Sequence, residues 1–213
     1  MNKLSQVQMP PKPKTDIERQ QLRTLIIDTA RALFVSRGVE AVTMRELAKR
    51  INYSATSIYL HFADKEAVLR AICDIDFLAL ATNLKNILQI ANPIERLHAL
   101  GRGYAAFALT HPNHYRMMFM TERTESSLQQ NNAEQDAYFQ LKSVVNDVHA
   151  AGYFRADLHN VHLIAQTLWA GMHGVCALQI NMSEDKWIEW SNISDRLQLM
   201  QDVMMRGLLR EKI

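Results

Sequence analysis

The chain has little that would interrupt a helix. It contains only 7 glycines and 5 prolines in 213 residues, and Pro10, Pro11 and Pro13 fall near its start. With so few breakers and no convincing period-two alternation, the pattern predicts an all-α fold. Cysteine is equally scarce. Cys73 and Cys176 stand far apart inside apolar helical patterns, which suits small buried thiols better than a disulfide or a metal site, and nothing supports a redox sensor. No apolar run approaches the length of a bilayer span, and the opening MNKLSQVQMPPKPKT lacks the hydrophobic stretch of a signal peptide, so the expectation is a cytoplasmic protein with no membrane partner. A glycine-rich phosphate loop, a nucleophile elbow and a paired-cysteine zinc pattern are all missing. His159 and His162 lie three apart without a third ligand at matching spacing. No metal, no cofactor and no enzymatic activity are therefore expected.

What is present is unevenly distributed. Residues 1–70 carry 12 Lys+Arg against 7 Asp+Glu, whereas residues 71–213 carry 12 against 15. The basic end suits attraction to a phosphate backbone, although solvated surface charge alone can produce such an asymmetry. Within it, residues 1–15 interleave Lys12 and Lys14 with prolines and read as a flexible basic arm, either a plain tail or an arm that enters the minor groove of DNA. A hydrophobic content of 48% is enough for a buried core in the remainder.

The most informative stretch runs TMRELAKRINYSATSIYLHFADKEAVL, from Thr43 to Leu69. Thr43 and Glu46 stand in the S/T-x-x-E capping-box relation and start a helix from about Met44 to Ile51, with Leu47, Ala48 and Ile51 as its inner stripe. Asn52 tolerates the left-handed turn that must follow, and Tyr53 is expected as an apolar plug. Ser54 then caps a second helix, about Ala55 to His61, which buries Ile58. That helix presents Ala55, Thr56, Ser57 and Tyr59, small or hydroxyl-bearing side chains suited to base edges and phosphate oxygens. Asp64 caps a third helix. Lys65 in its first turn opposes the helix dipole, an unfavourable place unless the ammonium meets an anion such as a phosphate. An ordinary helical hairpin would need the apolar residues of this pattern but not the caps, the turn Asn and the flanking cations.

With these residues in view, Thr24 to Leu69 resembles the DNA-binding region of TetR-family transcriptional regulators. An apolar first helix ends in Phe34 and Gly38, followed by Thr43, Leu47-Ala48, Ser54, Ile58-Tyr59, His61-Phe62 and Lys65-Glu66 at the family's spacing. Asn52 stands where glycine is usual, and Tyr53 where a smaller apolar residue is. The resemblance implies base contact by Ala55, Thr56 and Tyr59, with Thr43, Ser54, Tyr59, His61 and Lys65 as a phosphate clamp.

Further helices are expected over Asp16–Ser36, with Leu22, Leu25, Ile26, Thr29, Leu33 and Phe34 inward, and from Asp64 to about Leu88. Others follow from Asn92-Pro93 to Thr110, around Tyr115–Phe119, up to Ala151 before Gly152, and over Leu158–Ile180 and Ile193–Arg210. The polar run Thr124–Gln135 reads as a loop or frayed helix start. LWAGMHGVCAL, Leu168 to Leu178, resembles the C-terminal domain of the Trp-His-Gly branch of the same family through Trp169, His173 and Gly174, and HPNHYRMMF resembles that branch's short helix. This implies an N-terminal three-helix helix-turn-helix domain, residues 16–66, and a C-terminal helical effector-binding and dimerisation domain, residues 67–213. The final two helices would pair with those of a second subunit, and Gly171 and Gly174 would permit close helix approach.

Phe77, Tyr104, Phe107, Met117, Met118, Tyr138, Trp169 and His173 are the candidate lining of an apolar effector pocket, though aromatic and Met residues at helical spacing are equally what a plain core contains. The function this predicts is a dimeric regulator, a repressor by family analogy, that leaves a palindromic double-stranded DNA operator when a small hydrophobic or aromatic effector binds. The competing expectation is a helical protein-interaction module that has lost sequence-specific DNA binding.

Overall fold

The structure, a computed structural model, describes residues 15–119 and 136–210. The proposed arm, apart from Thr15, and the run Thr124–Gln135 lie outside the described residues. Nine α-helices account for most of the described chain, and its nearest approach to a strand is one isolated antiparallel bridge between Phe154 and Leu209. The all-α expectation holds.

The described chain divides into two compact units, one ending at Leu69 and one beginning at Arg70. In the first, α1 (Asp16–Arg37) starts in a reciprocal capping box: the Thr15 hydroxyl accepts from the Glu18 N–H, and Glu18 accepts from the Thr15 N–H at 2.7 Å. Its buried stripe is Leu22, Ile26, Ile27, Ala30 and Phe34, whereas Leu25 is 43% exposed, so the inner face is turned by part of a residue step from the expected one. Gly38, at φ 81°, ends the helix in a conformation that L side chains avoid.

Helix α2 (Met44–Arg50) is capped by Thr43, but the reciprocal half of the expected box is absent, because the Glu46 carboxylate binds Arg37 at the end of α1 instead. Asn52 turns the chain at φ 57°, the lone left-handed non-glycine among the described residues. Tyr53 is not a plug: its N–H closes the turn on the Ala48 carbonyl at 2.9 Å, while 39% of the residue stays exposed. Helix α3 (Ala55–Tyr59) is shorter than expected and buries Ile58 completely. Asp64 accepts from the Ala67 N–H at 2.6 Å and starts α4 (Lys65–Leu84), which begins in the first unit and continues in the second. A 3-10 turn, Lys85–Gln89, replaces its expected last turn.

In the second unit, Asn92 and Pro93 open α5 (Pro93–Thr110), with the Asn92 side chain accepting from both Ile94 and Glu95. His111 ends it, and Pro112 restarts the chain as α6 (Pro112–Phe119). Helices α7 (Ala137–Ala150), α8 (Val161–Met182) and α9 (Ile193–Leu208) complete the unit around one core that includes Leu80, Leu100, Tyr115, Val145, Ile164 and Leu168. Gln140, fully buried, donates to the Ala81 carbonyl at 3.0 Å and so fixes α7 against α4. A Cβ at Gly171 would lie 2.4 Å from Met204 Sδ, so glycine sets the α8–α9 approach, whereas Gly174 has nothing near it. Contrary to the sequence reading, α8 is long and apolar enough to cross a membrane by length and composition. One face of it, with Ile164, Ala165, Leu168, Met172, Val175 and Cys176, is buried in the core.

The turn between α2 and α3 makes a simple stability test. Asn52→Ala should cost about 1 kcal/mol, because alanine lacks asparagine's tolerance of the left-handed region, while Asn52→Gly should stay within about 0.5 kcal/mol of the parent. Urea denaturation followed by circular dichroism reads both; equal effects would mean that the turn relaxes.

Candidate DNA interface and ligand cavity

The first unit turns one set of side chains outward. On α3 and at its C-terminal cap, Thr56, Tyr59 and Leu60 are exposed, Tyr59 at 51% and Leu60 at 83%, and none carries charge. Ala55 and Ser57 are half-buried, and the Ser57 hydroxyl is engaged with that of Ser54 at 2.8 Å while its N–H donates to the same Ser54 oxygen at 3.1 Å. The Ser54–Ser57 pair therefore serves the helix start first. Leu60 was missed by the sequence reading, although it follows Thr56 by one helical turn. Thr43 is exposed at the start of α2, and Arg45, Lys49 and Arg50 are exposed along that helix.

The end of α3 is clamped from α1. Arg23 donates to the His61 carbonyl at 3.3 Å and lays its guanidinium 4.2 Å from the centre of the Phe62 ring. His61 itself is half-buried. Lys65 meets an anion, as its position in the helix requires: the Glu40 carboxylate at 3.2 Å, which is itself almost fully exposed. This edge of the unit has the chemistry for duplex DNA, with neutral polar and apolar groups at the centre and cations beside them.

The second unit contains a cavity with about 120 Å³ open to the centres of water-sized molecules. Of the expected lining residues, Phe77, Tyr104, Tyr138 and Trp169 border it. Phe107, Met117 and Met118 do not; they are buried at 6%, 5% and 1% exposure. On α6 it is Phe119 that lines the cavity. Met118 and Met117 project about 100° and 200° around the helix from it, so the same short helix sends them into solid packing. His98, Met172 and Gln201 also border the space and were missed, since inward periodicity marks burial without marking where the interior is left unfilled.

His173 is not in the cavity wall but stands behind it. Phe119 packs against Phe77, Tyr104, Tyr115, Trp169 and His173 with ring centres 5.0–6.2 Å apart. Within this cluster the Trp169 indole N–H donates to the Tyr104 hydroxyl at 3.3 Å. The hydroxyls of Tyr104 and Tyr115 lie 2.9 and 2.7 Å from His173 Nδ1, and Tyr115 also donates to the His173 carbonyl at 3.1 Å. Burial favours the neutral form of each group. It pushes the Tyr104 phenol up to about 12, raises Tyr115 further, raises the Cys176 thiol to about 11, and lowers the His173 imidazole from its ordinary range.

A group whose proton affinity is lowered in the folded state binds more protons unfolded, so stability falls as acid is added. Thermal stability should therefore decline as the pH drops through the ordinary imidazole value of 6.5 toward 5, and His173→Gln should flatten that slope. An identical slope in the variant would remove His173 from the acid response.

Comparisons with known proteins agree with this geometry. The family described as bacterial regulatory proteins, tetR family, matches residues 26–72, and the tetracyclin repressor-like C-terminal domain matches residues 97–185. The HTH-type transcriptional repressor KstR2 of Mycobacterium tuberculosis is 29% identical over 146 residues, covering 62% of this chain and 69% of that protein. The solved structure of ketosteroid transcriptional regulator KstR2 from that organism covers 89% of this chain and 96% of its own, with a TM-score of 0.61 and 22% identity. A protein of unknown function from Rhodococcus sp. RHA1 shares the fold over 95% of this chain and 100% of its own, with a TM-score of 0.71 and 22% identity. The chain belongs to the TetR family of helix-turn-helix transcriptional regulators.

Proposed function

We propose that the protein is a homodimeric repressor that holds a near-palindromic operator and releases it when a small hydrophobic or aromatic effector occupies the cavity of the second unit. The observation that carries this reading is the uncharged outward face of α3, Thr56, Tyr59 and Leu60, on a helix-turn-helix whose α2 exposes three cations. Two copies would place their α3 helices in successive major grooves about 34–36 Å apart. Thr56 and Tyr59 would read bases, with Ala55 and Ser57 closer to the helix start, while Thr43, Ser54, His61 and Lys65 would hold phosphates.

Dimerisation through α8 and α9 is supported by Leu163, Leu178, Leu199 and Val203, which are 44–65% exposed on faces away from the core. Gly174, with open space around it, would let a second copy's helix approach closely. Trp169, His173 and Gly174 support placing the C-terminal domain in the Trp-His-Gly branch. Release would pass through α4, which supplies Phe77, Leu80 and Leu84 to the cavity and begins in the DNA-reading unit. A change in the spacing of two reading heads costs affinity because only one spacing fits the groove period. This activity places the protein in the cytoplasm.

Selection of bound duplexes from a randomised pool tests the reading. The wild type should enrich a palindrome that Tyr59→Ala does not. On that operator Lys65→Ala should weaken binding to all sequences alike and lower the salt slope by about 1, whereas Thr56→Ala should change which bases are preferred. Enrichment of no sequence by the wild type, with general salt-sensitive binding only, would refute specific recognition.

A further inference from the structure

The cavity is apolar over most of its wall, and its polar residues share one property: all but one are uncharged. Among the described residues no lysine or arginine lines it. Among the described lining residues the single formal charge is the carboxylate of Asp136, which caps α7 by accepting from the Phe139 N–H at 3.0 Å. An anion brought against this wall would lose its water and meet no cation among the described residues.

Two neutral hydrogen-bonding side chains belong to the wall. Gln201, 6% exposed, donates its amide N–H to the His98 carbonyl at 2.9 Å. A Cβ at residue 101 would lie 2.3 Å from that nitrogen, so Gly101 leaves the room in which Gln201 crosses α5. Its Oε1 has no donor among the described residues. The second group is the Tyr104 hydroxyl. With His173 as the Nε2–H tautomer, Trp169 donates to Tyr104, Tyr104 donates to His173 Nδ1, and Tyr115 donates to the His173 carbonyl. The chain holds a spare arrangement. If a ligand oxygen takes the Tyr104 proton, Tyr115, already 2.7 Å from Nδ1, can donate to that nitrogen instead, and no imidazole lone pair is stranded.

We propose that the cavity selects uncharged ligands bearing an acceptor oxygen, such as a ketone, ester or alcohol, over carboxylates and phosphates of the same skeleton, with Tyr104 as the anchoring donor. The inference rests on the reading of this cavity as the effector site and adds the charge class and the anchor. Because the hydrogen-bond chain joins α5, α6 and α8, a ligand oxygen at Tyr104 changes the bonding of all three helices at once.

Calorimetric titration of the full-length protein at pH 8, above the imidazole range, with three naphthalene derivatives tests it: 2-acetonaphthone, 2-naphthoate and 2-ethylnaphthalene. The ketone should bind about 10-fold or more tighter than the carboxylate, and roughly 3- to 10-fold tighter than the hydrocarbon. Tyr104→Phe should erase the advantage of ketone over hydrocarbon while leaving the hydrocarbon's affinity within about 2-fold, a pattern that general loosening of the core would not produce. Equal or tighter binding of naphthoate, an unchanged ketone-to-hydrocarbon ratio in the variant, or binding of none of the three would overturn the proposal. Operator release measured alongside separates the two readings. Ketone binding without release would defeat the effector role and leave the ligand class standing; release driven by naphthoate would do the reverse.

Discussion

A helix of five residues cannot hold itself together in water, because nucleation fixes several residues for very few hydrogen bonds. The proposed reading of DNA depends on such a helix. What keeps α3 formed is the complete burial of Ile58, with Phe62 close behind it at 4% exposure, against a core built from α1 and α2. Both ends are then tied: Ser54 satisfies the first turn, and Arg23, on α1, holds the His61 carbonyl and covers the Phe62 ring. The outward face keeps its pose through residues that are themselves turned inward or sideways. Side chains with no part in base contact thus carry the precision of recognition.

The second unit solves a different problem with a core of its own. Its interior must be dense enough to fold and still leave room for a guest. Phe119 is the residue where the two demands meet, since it touches five rings and also borders the cavity. Around Phe119, burial favours the neutral form of Tyr104, Tyr115, Cys176 and His173, the phenols and the thiol by raised proton affinity and the imidazole by lowered affinity. Keeping them neutral avoids the desolvation cost that an ionised group would bring to a poorly solvated wall. With no lysine or arginine among the described lining residues, the proposed preference for a neutral guest would rest on shape and hydrogen-bond donors, with no cation to hold an anion.

The helix-turn-helix was readable because its signals are local. Thr43, Ser54, Asn52 and Asp64 act within three residues of where they stand, and each does what its spacing indicates. The failures lie where a distant residue intervenes. Glu46 abandons its half of the capping box because Arg37 arrives from α1, whereas the reciprocal box forms at Thr15 and Glu18. In the cavity, Phe77, Tyr104, Tyr138 and Trp169 were legible as inward aromatics, but Phe107, Met117 and Met118 carry the same periodic signal and fill space instead of bounding it. Gln201 could not be anticipated at all, since its place depends on a glycine one hundred residues earlier in the chain.

The distribution of charge in the first unit implies a division of labour. Helix α3 has no ionised side chain, so it cannot supply the salt-dependent, sequence-independent part of DNA affinity. That part must come from cations around it, on α2 and at the start of α4. Among the described residues Lys65 is held by Glu40, whose carboxylate is almost entirely in water, and a pair of this kind contributes little because solvent screens it. The lysine can therefore exchange one anion for another at small cost. In the free protein Glu40 keeps it from extending at random and answers the unfavourable helix dipole. In the proposed complex a phosphate would do both, and the ion pair would then act as a place-holder that positions the cation without competing strongly for it.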